Sequence, residues 1–211
     1  MGYSLDPISD NCCPGTAVLI NKFDIRDEAK LNEVETVLVS ARSAEWMEHP
    51  KADSFDFTHY KAVHHFLFSD LYDWAGQIRT VDISKKGTRF CSAENIECQA
   101  ELIFHRLKER NYFKNLPHGE FVDEIVDFYC VTNDLHPFRE GNGRTQRVFL
   151  AQLIRNAGYD INWAEVDGDL LMIATIQSAQ GVTDLLKKIL NEAVSCSSFY
   201  LIGNLRGRKN L

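Results

Sequence analysis

A mainly α-helical domain carrying one short β-hairpin is the fold class that the sequence predicts. Three observations predict it. Apolar residues recur at helical spacing through most of the chain, one stretch between Ile78 and Cys91 alternates instead, and no repeat, low-complexity block or Pro/Gly linker divides the rest. With 211 residues, 45 % hydrophobic and 25 % charged, the chain is long enough to bury one core without staples. The formal net charge of −7 argues against broad contact with nucleic acid or an anionic membrane. No run approaches the length of an apolar span, and Met1 to Asp10 lacks a basic region followed by an apolar one, so neither a membrane segment nor a signal peptide is expected. Six cysteines without a C-x-x-C pair fit thiols in a reducing cytosol better than zinc, and a cytoplasmic location is expected.

In chain order, residues 1–23 hold Pro7, Pro14 and Gly15 among short apolar pieces and read as an irregular arm. A first helix from about Asp27 to Met47 places Leu31, Val34, Leu38 and Ala41 inward, with charges between them, and His49-Pro50 ends it. Asp53 to Asp56 is a loop. A second helix from about Thr58 to Trp74 buries Tyr60, Val63, Phe66, Leu67, Leu71 and Trp74; His64 and His65 fall within it, without carboxylates at ligand spacing, and read as structural. Gly76 breaks that helix. Ile78–Ile83 and Thr88–Cys91 read as two strands joined by Ser84-Lys85-Lys86-Gly87. Ser92 is the expected N-cap of a helix to about Glu109, with Ile96, Ala100, Ile103 and Leu107 inward. After a loop containing Pro117, a helix from about Glu120 to Asn133 delivers His136. Further helices are expected from the glycine turn to Ala157, over 168–178 and over 183–195. Between the first two of these lies a loop with Trp163, expected in the core, and Cys196 to Leu211 forms a tail.

The chemistry concentrates in His136-Pro137-Phe138-Arg139-Glu140-Gly141-Asn142-Gly143-Arg144-Thr145-Gln146-Arg147. Gly141 and Gly143 let backbone N–H groups approach an anion closely, and the helix that opens there has unpaired N–H groups and a dipole favouring negative charge. Arg144 and Arg147, three apart, share a helix face on which two guanidinium forks can grip a polyphosphate. Glu140 suits Mg²⁺, which takes one or two carboxylates plus phosphate oxygens. His136 is suited to take a proton from an attacking hydroxyl. Phe138, between polar residues, anchors the loop in the core.

This stretch matches H-x-F-x-[DE]-G-N-G-R-x-x-R and so resembles the Fic family of nucleotidyl transferases. The resemblance is sharp over 136–147 and moderate over Trp74 to Cys91, within roughly residues 20–195. It implies a Fic-type helical bundle, with residues 24–195 as the Fic domain between the 1–23 arm and the 196–211 tail. It also implies transfer of AMP from ATP to a Ser, Thr or Tyr hydroxyl of a target protein. Carried over by position, His136 is the base, Glu140 the Mg²⁺ ligand, Gly141, Asn142 and Gly143 the anion loop, and Arg144 and Arg147 the grips on the β- and γ-phosphates. The hairpin resembles the family's flap, so Ile83, Ser84, Lys85, Lys86, Gly87, Thr88, Arg89 and Phe90 are expected to clamp the target by main-chain pairing. Many members are restrained by a helix bearing [ST]-x-x-x-E-[GN]. No glutamate here has Ser or Thr four positions before it, which points to a separate small helical antitoxin carrying that motif and so to the toxin of a toxin–antitoxin pair. The family resemblance implies type II topoisomerases as possible targets. Two alternatives stay open: another donor (UTP, GTP or CDP-choline), or a non-catalytic interaction module.

Overall fold

The computed structural model describes residues 11–48, 54–85 and 87–196. The first half runs through α1 (Glu28–Glu48), α2 (Phe57–Phe68), β1 (Ser84–Lys85), β2 (Thr88–Arg89) and α3 (Ile96–Glu109). There follow α4 (His118–Leu135), α5 (Asn142–Asn156), β3 (Tyr159–Ile161), α6 (Gly168–Ser178), α7 (Asp184–Ala193) and β4 (Val194–Cys196). Among the described residues the fold is thus mainly α, with two short antiparallel strand pairs, β1–β2 and β3–β4. Among the described residues no helix is long and apolar enough to cross a membrane.

Helix α5 is the centre of the packing. Phe149, Leu150, Leu153 and Ile154 have no exposed surface, and α1, α2, α4 and β3 all contact the helix. Each such side chain contributes about 1.5–3 kcal/mol on full burial, so the helix that begins at the glycine turn is fixed by the core itself. Before α1, the Cys12↔Leu19 bridge and the buried Val18 and Leu19 lay residues 11–23 on this core.

Several boundaries differ from the sequence expectation for physical reasons. The buried face of α1 is Leu31, Glu35, Val39 and Trp46; Val34 and Leu38 are only half-buried and Ala41 is exposed. A glutamate inside the stripe disguised it. Helix α2 stops at Phe68, not Trp74, because the N–H groups of both Leu71 and Tyr72 bond to the Phe68 carbonyl at 2.9 Å and turn the chain. Leu71 and Tyr72 are still buried, so their spacing mimicked another helical turn. The hairpin is shorter than expected, with Ser84 opposite Arg89 and Lys85 opposite Thr88. Ile78–Ile83 is not a strand: the Arg79 N–H is spent on the Pro137 carbonyl at 2.9 Å. Ser92 does not cap α3 through its side chain; a 3-10 turn at Ala93–Asn95 intervenes, and Asp82 accepts the Ala93 N–H at 2.7 Å. Phe104 takes the buried place expected of Ile103. Asp160 and Ile161, expected in a loop from Asp160 to Asp167, and Val194 and Ser195, expected at the end of the last helix, instead belong to the paired strands β3 and β4, with Ile161 opposite Val194. The His49-Pro50 stop, Asp53, Lys86 and the tail beyond Cys196 lie outside the described residues.

Candidate active site

Helix α4 ends at Leu135, and His136 follows with φ 40°, a left-handed cap that turns the chain towards the glycine loop. Its Nδ1–H donates to the Asn133 carbonyl at 2.8 Å, which places the imidazole lone pair on Nε2. Phe90 of the hairpin stacks on the ring, 3.7 Å between centroids and 15° from parallel. Burial first, then the positive charges of Lys85 and Arg79, push the imidazole down to about 3 against the opposing Asn133 contact, so His136 is neutral at physiological pH.

The loop after His136 is braced on every side. Phe138 has no exposed surface and stacks 3.9 Å from His64 and 5.8 Å from Tyr60. Asn142 spends its side chain on the loop: its Oδ1 accepts the Phe138 N–H and its amide donates to the Phe138 carbonyl, both at 2.8 Å. His64 accepts the Gly76 N–H at Nδ1, 2.8 Å, and donates from Nε2 to the Glu140 carbonyl, 3.0 Å. The expected structural histidine is therefore a strut of the loop. Gly141, at φ 79°, is required twice over, since a Cβ there would lie 2.3 Å from the Phe68 ring. Gly143 differs: a Cβ there would meet only the Arg147 guanidinium, at 3.5 Å. The protein leaves that space open.

A cleft of about 470 Å³ lies over this point. Of the expected site residues, Lys85, Thr88, Phe90, His136, Gly143 and Arg147 line it. Glu140, Gly141, Asn142 and Arg144 do not; the first three shape the helix start behind it, and Ile83 is buried beneath the hairpin. The Gly141 N–H donates to Glu140 Oε1 at 2.9 Å, and Arg144 Nη2 stands 3.6 Å from the same oxygen. Arg147 is largely buried, which lowers its pKa, and no acidic side chain among the described residues pairs with it. Trp163, expected only in the core, also lines the cleft and donates its indole N–H to the Arg147 carbonyl at 3.0 Å. Among the described residues no group of three or more His, Cys, Asp or Glu could cage a metal. One carboxylate at a helix start suits Mg²⁺ only with phosphate and water completing its shell, and Glu140 fits that role.

Two residues escaped the sequence. Arg79, whose side chain is fully buried, donates to the His136 carbonyl at 2.8 Å, to Val81 at 2.7 Å and to Cys91, joining the hairpin roots to the loop. Glu35 of α1 pairs with Arg144 and accepts the Tyr72 hydroxyl. A signal existed for Glu35 alone, in its i, i+4 spacing from Leu31 and to Val39.

Residues 54–154 match the Fic/DOC family. The chain is 38 % identical over 187 residues to protein adenylyltransferase VbhT of Bartonella schoenbuchensis, covering 89 % of this chain but 38 % of that longer protein. It is 39 % identical to the probable protein adenylyltransferase y4lH of Sinorhizobium fredii, over 83 % of this chain and 89 % of that one. The fold is similar to that of BepC from Bartonella tribocorum, solved with bound AMPPNP: TM-score 0.86 at 25 % identity, covering 89 % and 97 % of the two chains.

Proposed function

The chain belongs to the Fic/DOC family, and on that premise we propose that it is a protein adenylyltransferase, moving AMP from ATP to a Ser, Thr or Tyr hydroxyl of another protein. The observation that carries this is the convergence of His136, Gly143 and Arg147 on one cleft roofed by Phe90. In the reaction the target hydroxyl oxygen bonds to the α-phosphorus, the bond to the pyrophosphate oxygen breaks, and the hydroxyl proton passes to His136 Nε2. The neutral imidazole, its tautomer set by Asn133, is the form able to accept that proton. The unpaired N–H groups at the start of α5 and the guanidinium groups of Arg144 and Arg147 hold the phosphates, so catalysis rests on alignment and charge stabilisation. Glu140 would hold Mg²⁺, which when bound neutralises charge between phosphate oxygens. The hairpin from Ile83 to Phe90 offers strand edges on which an extended target segment can pair, placing its hydroxyl near His136.

Finer assignments belong to the same proposal. The protein acts in the cytoplasm as the toxin of a toxin–antitoxin pair, its separate antitoxin presenting a glutamate to Arg147, and type II topoisomerases are the targets. The lack of an acidic partner for Arg147 among the described residues supports the antitoxin reading. The test is α-labelled ATP incubated with lysate, comparing wild type with His136→Ala. Label transfer is expected to fall by about 10²–10⁴-fold while ATP affinity stays within about twofold. Normal transfer by the variant would refute the role of His136.

A further inference from the structure

Helix α1 sends one carboxyl group into the core. Glu35 is 5 % exposed on a face otherwise made of Leu31, Val39 and Trp46. Burying a carboxylate is costly, and replacing such an ion pair with apolar residues commonly costs nothing in stability. What a buried pair does secure is geometry. Glu35 engages Arg144 at Nη2, the nitrogen that also faces Glu140 Oε1 at 3.6 Å, while Tyr72 donates its hydroxyl to the other Glu35 oxygen. Burial and the adjacent Glu35 charge raise the Tyr72 pKa far above its usual range, which keeps that hydroxyl a donor. The Arg144 guanidinium also lies over the Phe68 ring, 4.9 Å from its centroid.

The fork is therefore fixed by one nitrogen and one face, and no residue among those described engages its Nη1 or Nε. A brake would occupy the edge an anion needs. Glu35 instead takes the corner already shared with Glu140 and leaves Nη1 and Nε unengaged by any described residue. We infer that Glu35 is a positioning residue of the nucleotide site: acting through Arg144, and held by Tyr72, it sets the guanidinium for the phosphates beyond the α-phosphate. The inference rests on the proposed role of Arg144 in gripping ATP.

Calorimetric binding of Mg²⁺–ATP and of AMP to wild type, Glu35→Gln, Tyr72→Phe, Arg144→Ala and the Glu35→Gln/Arg144→Ala double variant tests it. Glu35→Gln should weaken ATP about tenfold, the scale of one charge-assisted hydrogen bond, leave AMP within about twofold, and add nothing to Arg144→Ala. Equal losses for ATP and AMP, or a further loss in the Arg144→Ala background, would overturn it in favour of a purely structural role. Tighter ATP binding by Glu35→Gln would overturn it in favour of a brake. Should Glu35→Gln fail to fold, Tyr72→Phe, which removes one hydroxyl, is read by the same ATP-to-AMP comparison. Wild-type protein that binds no ATP would overturn the proposed function and this assignment with it; wild type that binds ATP as tightly as Glu35→Gln overturns only the assignment.

Discussion

The two walls of the cleft are built on opposite plans. On the glycine-loop wall, backbone from Phe138 to Gly141 is tied to side chains from α2 and α5: Asn142 brackets Phe138, His64 holds the Glu140 carbonyl, and Phe68 fills the space a Cβ at 141 would need. The hairpin wall has two rungs of strand pairing and is fixed at its roots, where Arg79 gathers three carbonyls and the Cys91 N–H bonds to Asp134 at 2.9 Å. A two-stranded hairpin is marginal by itself. The wall proposed to meet an invariant triphosphate is preorganised by the core, and the wall proposed to meet varied protein segments keeps an open edge. Placing rigidity where the ligand never changes costs no versatility.

Substitutions can break this contrast. Gly141→Ala should have the largest effect, a stability loss of about 2–5 kcal/mol from the left-handed strain and the clash with Phe68, measured by urea denaturation. Gly143→Ala should stay within about 1 kcal/mol of wild type yet weaken ATP, because its methyl enters open cleft; similar stability losses at the two glycines would erase the distinction between them. Arg79→Met should cost about 2 kcal/mol and lower transfer more than ATP affinity, since it loosens the hairpin roots and the His136 carbonyl but no proposed phosphate contact.

Acid probes the glycine-loop wall through two imidazoles. His64 and His136 are both pushed down to about 3, by burial before any other cause, against an unfolded value of about 6.5. The unfolded chain therefore binds more protons between those limits. Their contribution to stability is fully present above about pH 6.5 and is lost as pH falls towards 3. Chemical denaturation from pH 7 to 4 should show this decline, and His64→Gln should flatten part of it. Gly87→Ala should do least. Its φ of 83° strains an alanine, but nothing lies within 4 Å of the new methyl, so the change should leave global stability within about 0.5 kcal/mol and raise KM for target by about twofold. A large fall in stability there would mean that the hairpin is a structural wall after all.

How much of this was legible in the sequence depends on how far apart the cooperating residues lie. His136 to Arg147 is contiguous, its glycines and charges sit together, and the helix after it has plain apolar spacing, so the loop and α5 could be read directly. Helices α3, α4 and α6 were legible within two to four residues for the same reason. The pairing of β3 with β4 was not, because neither three-residue strand carries a signal without its partner. Arg79 looked like a strand residue until the acceptors for its guanidinium, at Val81, Cys91 and His136, were in place. Arg144 was expected free for phosphate, and only the fold revealed that a residue 109 positions earlier holds it.

The i, i+4 burial of α1 has a practical consequence for anyone trimming this protein. The stretch shared with the family begins at residue 54, after α1, so a shortened chain drawn to that boundary would keep all twelve motif residues. It would also strip the cover from Tyr72 and cast Arg144 adrift on the surface. Counting motif letters would score such a fragment as complete, while the grip on nucleotide proposed for Arg144 had lost its hinge pin.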